Sequence, residues 1–370
     1  MFKNFYHFPE ETNIPSPQLV YYLDQIKANI EKTIREAGGA EFLWPHVKTH
    51  KMADMIRLQL SYGIKRFKCA TIAEAEMAAS CGADAVILAY PLVGPNIARF
   101  LTLRKTYPDT LFLALEDDLG MLKRLSEAAV GPIPYLVDVN PGFYRTGVKT
   151  EDLPAFLRSA SSVPNVECKG FHVYDGQNHQ SDLTARQQAV DACEEAFFRV
   201  YRQLQEEGLS ADIVVFGGTP SMPCFAPKLS KYPHAWLSPG TLFVNDYGYA
   251  SALPDMVFPP AAALLTRVVS HPRPGCFTLD LGTKAVSTDQ AVPGLLLDVE
   301  AEPLFQSEEH WAFRMKEGHE EERPSIGDVL YVLPSHICPT TALYPEVPVI
   351  ENGHLSAVWP VTARNRKITI

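Results

Sequence analysis

No apolar run in the 370-residue chain is long enough to cross a bilayer. The longest, AVILAYPLVG (85–94), falls well short of the roughly 20 residues that a spanning helix needs. There is no CxxC pair, no fixed-period repeat and no low-complexity segment. Positive charge is not in excess: 33 Lys and Arg stand against 43 Asp and Glu, a net charge of −10. That balance disfavours nucleic acid or an anionic membrane surface as a partner. The opening residues MFKNFYHFPEET lack the basic-then-apolar pattern of a secretory signal. A cytoplasmic protein with reduced thiols is therefore expected, with most of its seven cysteines serving as small buried hydrophobes.

Apolar residues make up 46% and charged residues 21%, so the chain can bury a sizeable core and is neither disordered nor fibrous. The length suggests two domains, or one large barrel with an appendage. Eight short apolar runs alternate with amphipathic stretches over about 235 residues. They are Leu43–His50, Arg66–Thr71, Ala85–Tyr90, Leu111–Glu116, Ile133–Asn140, Cys168–Tyr174, Asp212–Gly217 and Ala235–Thr241. Between them, Tyr22–Ala37 ends at Gly38-Gly39, and Thr71-Ile-Ala-Glu74 reads as a capping box. Leu183–Gly208 places Ala189, Cys193, Ala196, Phe197, Val200 and Leu204 on one helical face. The count and length are those of an α/β fold of the (β/α)8 barrel type; an open doubly wound sheet shares the alternation, and the count of eight favours the barrel.

After about residue 255 the pattern changes to strands and turns: Leu264–Val269, Cys276–Leu281, Leu295–Val299, Trp311–Met315, Val329–Leu333 and Leu355–Val361. Many of the 30 prolines fall in this region and its entry, and helical periodicity is absent. The expected division is a barrel over 15–255 and a small β domain over 256–370, together with residues 1–14.

Barrel chemistry sits where the strands end at the C-terminal face. Lys48 and His50 follow the first run, Tyr90 the third, Glu116 the fourth, Asp138 and Arg145 the fifth, and His172 and Tyr174 the sixth. The last two runs enter Gly217-Gly218-Thr219 and Pro239-Gly240-Thr241. Such turns let backbone N–H groups and Thr hydroxyls converge on an anion. Singly each is also an ordinary tight turn, and as a pair after strands seven and eight they favour phosphate. Lys48 would project into the barrel mouth, where a desolvated amine can form a Schiff base; a surface lysine is the other reading. Lys284 is a rival by composition, but it lies far in sequence from these loops. On a strand, His46, Lys48 and His50 would share a face. His336 and Cys338 would likewise share one at the end of YVLPSHIC, and an imidazole beside a thiolate suits Zn²⁺. Taken alone, that pair reads more readily as a core histidine beside a buried cysteine.

The segments WPHVKTHK (44–51), VDVNPGFYRTG (137–147), GFHVYDGQ (170–177), FGGTPS (216–221), SPGTLFVND (238–246), LDLGTKAVSTD (279–289) and PSHICPT (334–340) resemble, in order, the motifs of the D-threonine aldolase and D-serine dehydratase family. The resemblance covers almost the whole chain. It implies an alanine-racemase-like fold with pyridoxal 5′-phosphate as cofactor and a homodimer with active sites at the subunit interface. By this resemblance Lys48 would hold the cofactor covalently, Arg145 would face the pyridoxal 3′-oxygen, and Tyr174, Gly218, Thr219, Gly240 and Thr241 would surround the cofactor and its phosphate. His336 and Cys338 would bind a divalent metal. A His–Cys pair resembles the zinc-dependent dehydratases, whereas the aldolases tend to offer oxygen ligands to Mn²⁺ or Mg²⁺. His179 lies one residue away from the position of the aldolases' histidine base. KEGHEEERP (316–324) matches the family's glutamate-histidine motif only loosely, so no direct role is expected for His319. The implied activity is a lyase on small β-hydroxy D-amino acids. The reading favoured is a D-serine dehydratase, with a D-threonine or 3-hydroxy-D-aspartate aldolase as the alternative and a racemase or non-catalytic cofactor carrier behind both.

Overall fold

In the computed structural model, which describes residues 5–209, 212–366 and 369–370, the early apolar runs become a curved parallel sheet. Its strands run in the order Arg66–Cys69, Ala85–Leu88, Leu111–Glu116, Ile133–Asn140, Val166–Val173, Ile213–Phe216 and Ala235–Leu237. The first expected strand, Leu43–His50, is shorter than expected. Leu43 bridges Leu237 and His46 bridges Lys68, so the segment joins the two outer strands of the sheet. Pro45 cannot donate a ladder hydrogen bond, and Val47–Thr49 is a 3₁₀ turn with the Lys48 N–H on His46 Nδ1 at 3.3 Å. Lys48 therefore sits on a turn, not on the shared strand face expected for His46, Lys48 and His50.

Alternate positions fill the barrel. Trp44, Ile87, Leu113, Leu115, Leu136 and Val215 pack as one cluster. The Val166–Val173 strand carries one extra residue against its neighbour, between the pairs Tyr135–Cys168 and Leu136–Gly170. Beyond this bulge Asp138 is level with His172. Gly170 is required there: its φ is +152°, and a Cβ would lie 1.8 Å from the Ile213 carbonyl oxygen. The helices follow their caps. Thr71 accepts from the Glu74 N–H, and Asp182 opens Leu183–Glu206 by accepting from Ala185. The buried face of that helix is Arg186, Val190, Glu194, Phe197, Tyr201 and Leu204, rotated from the face expected through Ala189, Cys193 and Ala196.

The chain divides into two compact units. One holds Glu31–Lys48, Ala53–Gly240 and the residues from Asn365; the other holds the residues up to Ile30, Thr49–Met52 and Thr241–Arg364. In the second unit the sheet order is Ala301–Gln306, Trp311–Met315, Cys276–Leu279, Ala262–Ser270, Gln18–Tyr22, Glu346–Glu351 and His354–Pro360. Val329–Pro334 pairs with Ala262–Ser270, and Gly294–Leu296 pairs with Val329–Pro334.

Gln18–Tyr22 lies within the span expected for the barrel, yet it is an inner strand of this second sheet, antiparallel to Ala262–Ser270 and parallel to Glu346–Glu351. Its Leu19, Val20, Tyr21 and Tyr22 are all buried, as suits a strand covered on both faces. Ala301–Gln306 and Glu346–Glu351 were not among the expected strands; each contains a proline that hides the apolar pattern. Ile337–Leu343 is a helix where only strands and turns were expected. Among the described residues no helix is long and apolar enough to cross a membrane, and all seven cysteines are unbridged.

Candidate functional site

Within the barrel unit, the strand ends assemble a buried polar chain. Lys68, 2% exposed on Arg66–Cys69, brings Nζ to 3.2 Å from His172 Nε2. His172 Nδ1 lies 2.8 Å from Asp138 Oδ1, and Asp138 Oδ2 accepts from the Thr146 hydroxyl at 2.6 Å. An ammonium can only donate, so the His172 proton belongs on Nδ1, facing Asp138. Burial, aided by the charge of Lys48, brings Lys68 down to about 7, against the pull of Asp138. Burial and Lys68 also lower His172, which keeps the ring neutral. Burial opposes the charge on Asp138, but His172, Thr146 and Arg145 together hold it below its ordinary value.

Tyr174 lies above this chain. Its ring is nearly parallel to that of His172, at 8° and 6.4 Å, and meets Phe143 edge-on at 5.5 Å. Arg145 places its guanidinium carbon 4.7 Å from the Tyr174 ring centre, and Lys68 Nζ lies 5.7 Å from it. The loop that carries Arg145 is fastened at both ends. Asn140 Oδ1 accepts from the Gly142 and Tyr144 N–H groups, and the Gly147 N–H donates to Asp117 at 2.6 Å. Gly147, at φ +103°, could carry no Cβ, which would lie 2.7 Å from the Asn140 nitrogen.

The glycine turns are tightly built. Asp175 accepts from Ser221 Oγ at 2.8 Å and from Asn178 at 3.1 Å, while the Gly218 N–H donates to Ser221 Oγ at 2.9 Å. The Gly240 N–H donates to Thr219 Oγ1 at 3.2 Å. These two amides are thus engaged within the turns and do not point together at an anion, as the sequence suggested. A Cβ on Gly218 would approach Tyr174 to 3.0 Å, so the bare backbone lets the turn lie against that ring. His179 is exposed on the following turn, with Nδ1 3.2 Å from the Gly176 carbonyl oxygen. Of the strand-end residues, Tyr90 is exposed. Glu116 is fully buried, and neither of its carboxylate oxygens has a side-chain hydrogen-bond partner among the described residues.

The second unit holds the His–Cys pair by a different geometry from the one expected. The strand stops at Pro334, and His336 is the N-cap of Ile337–Leu343. Asp246 fixes this turn: one oxygen accepts from the Ile337 N–H at 3.0 Å and the other from Tyr249 at 2.8 Å. His336 Nδ1 lies 2.5 Å from Asp289 Oδ2, and Cys338 Sγ lies 3.2 Å from Thr49 Oγ1. Thr241, at the start of a 3₁₀ turn, brings Oγ1 to 3.8 Å from the same sulfur. Burial lowers His336, but Cys338 and then Asp289 outweigh it and raise the ring to about 9. Asp289 thus orients the imidazole through Nδ1, the arrangement common behind metal-binding histidines. No group of three His, Cys, Asp or Glu side chains suited to a metal occurs among the described residues. A divalent metal held by His336 and Cys338 alone would need its remaining positions filled by water or substrate. His50 belongs to this unit. Its Nδ1 accepts from the Met52 N–H at 3.1 Å, and burial and then Lys51 hold it down to about 3, so it is a neutral structural ring.

Lys68 and Asp289 escaped the sequence reading. Lys68 lies in the run RFKCAT, where period two sets it on the face of Arg66, a cation in an otherwise apolar strand. Asp289 closes the motif LDLGTKAVSTD (279–289), but it is far from His336 in sequence and nothing in the motif pointed to that partner.

Residues 22–247 match the family described as "Alanine racemase, N-terminal domain", and residues 261–350 match "Putative serine dehydratase domain". The chain belongs to the alanine-racemase-type family of D-threonine aldolases and D-serine dehydratases. Within this family it is 26% identical over 359 residues to the D-threonine aldolase of Arthrobacter sp, covering 95% of this chain and 93% of that one. It is 28% identical over 371 residues to the 3-hydroxy-D-aspartate aldolase of Paracoccus denitrificans (strain Pd 1222), covering 96% and 94%. Its fold is that of the D-threonine aldolase from Filomicrobium marinum, with a TM-score of 0.86 at 24% identity over 96% and 97% of the two chains. The D-threo-3-hydroxyaspartate dehydratase from Delftia sp. HT23 gives 0.81 at 20% over 95% and 98%. Structures of such a dehydratase include one with a histidine and one with a cysteine, two positions apart, each replaced by alanine, the cysteine variant in a metal-free form.

Proposed function

We propose that this protein is a pyridoxal-phosphate- and metal-dependent lyase of β-hydroxy D-amino acids, acting foremost as a D-serine dehydratase. The observation that carries the reading is the His336–Cys338 pair, with Asp289 behind the imidazole. The named dehydratase variants, a histidine and a cysteine two positions apart, support it. The barrel mouth suits an anionic aromatic cofactor: Lys48, Lys68 and Arg145 outnumber Asp138 and Asp175, and the Tyr174 ring offers a flat face.

Pyridoxal phosphate, when bound, supplies an electron sink for negative charge at the substrate Cα, and a divalent metal supplies Lewis acidity toward the β-oxygen. Lys48 would hold the cofactor, and its Nζ would take the Cα proton. Arg145 and Tyr174 flank the cofactor, with Gly218, Thr219, Gly240 and Thr241 on the phosphate side. His336 and Cys338 would hold the metal, zinc by the softness of the thiolate. The β-hydroxyl and the Cα proton would leave together as water, and hydrolysis of the resulting enamine, through its imine, by a second water would give a 2-oxo acid and ammonia. The protein is read as a cytoplasmic homodimer.

Aldol cleavage is the second reading. It is favoured by the aldolase names of the two relatives above and by the exposed His179 as a base for the β-hydroxyl proton. Purified holoenzyme is incubated with D-serine, D-threonine and D-3-hydroxyaspartate. The dehydratase reading expects oxo acid and ammonia, with activity lost in EDTA and restored by Zn²⁺. Glycine plus aldehyde as the main product overturns it.

A further inference from the structure

The chain Lys68–His172–Asp138–Thr146 has no part in the reaction above, yet it lies beneath the barrel mouth, directly under Tyr174. A buried amine with one fixed acceptor is costly unless something offsets its charge. The charged groups facing Lys68 are Lys48 on the 3₁₀ turn, Arg145 on the loop after Ile133–Asn140, Asp138 on that strand and Asp175 after Val166–Val173. His172, its direct partner, is neutral. Three basic groups thus stand against two acids, and burial raises Asp175 toward its neutral form.

We propose that Lys68 is a charge-compensating positioning residue, and that binding of an anion in the barrel mouth is coupled to proton uptake on its Nζ. In the empty mouth a charged Lys68 is repelled by Lys48 and Arg145. An anion above Tyr174 reverses that field, and the ammonium is then held by His172 Nε2 below and the anion above. No covalent bond changes; the proton comes from solvent. The His172–Asp138 pair locks the acceptor nitrogen toward Lys68, so the charge stays in place. This inference rests on the proposed cofactor and names a device that the reaction itself does not require.

The test uses cofactor-free protein and 4′-deoxypyridoxine 5′-phosphate, an anionic ring that has no aldehyde and so cannot bond to Lys48. Calorimetric titrations in two buffers of different ionisation enthalpy count the protons taken up at several pH values. Wild type is expected to approach about one proton near pH 8 and none below about pH 6, where Lys68 is already charged. Lys68→Arg cannot deprotonate and is expected to bind without that uptake. Lys68→Met is expected to bind about tenfold more weakly, also without it. Equal uptake in wild type and both variants overturns the role of Lys68 while leaving the cofactor reading intact. No binding by wild type overturns both.

Discussion

Glu116 offers the sharpest physical test of the barrel. It ends Leu111–Glu116, is 0% exposed, and no side chain among the described residues hydrogen-bonds either oxygen. Burial, aided by the charges of Asp117 and Asp118, outweighs the opposing Leu92 backbone N–H and pushes it up to about 8, so it is largely neutral near pH 7. In the unfolded chain the group ionises near its ordinary value. Between the two pKa values the native state binds the extra proton, so stability falls as pH rises through this window. The fall is complete above about pH 8. At about 1.4 kcal/mol for each pH unit, a window of three to four units costs about 4–5 kcal/mol.

Glu116→Gln removes this slope. The amide has its own burial cost of about 1–3 kcal/mol, but that cost is the same at every pH. Thermal unfolding of both proteins, followed by circular dichroism at pH 5, 6.5 and 8, reads the difference. The Tm of Glu116→Gln is expected to gain steadily on that of wild type toward pH 8. A constant offset between the two would refute a buried, neutral Glu116.

Lys48→Ala should abolish the absorbance near about 420 nm that borohydride bleaches in the reconstituted protein, as read in a simple spectrum. Gly170→Ala should destabilise by about 3 kcal/mol or more, because its Cβ would strike the Ile213 carbonyl; denaturant unfolding or loss of soluble expression would show it. Asp289→Asn should weaken metal affinity about 10- to 100-fold by freeing the His336 ring, as measured by competition with a chromophoric chelator.

Much of the barrel could be read along the chain. Parallel strands buried on both faces are nearly continuous apolar runs, and caps such as Thr71 are local signals. The reading failed where proline broke the pattern, at Ala301–Gln306 and Glu346–Glu351, and past Pro45, where Leu43–His50 gives way to the Val47–Thr49 turn. It also failed at Gln18–Tyr22, whose apolar run fits either sheet; only its pairing with Ala262–Ser270 and Glu346–Glu351 decides. At the site, Lys48, Tyr174, His336 and Cys338 stood in recognisable motifs. Lys68 did not, and Asp289, although it closes the motif LDLGTKAVSTD, had no role assigned, because their meaning comes from His172 and His336, far along the chain.

The sequence by itself determined the alternation of elements, the family and the residue types offered to the chemistry, since these rest on periodicity and on motifs read locally. Tertiary structure alone decided which ring nitrogen faces which carboxylate. It also made His336 a helix N-cap with Cys338 in the first turn, and gave the buried Lys68 a neighbour. Those are properties of charge and distance, and charge in a buried site is set by groups that only folding brings together.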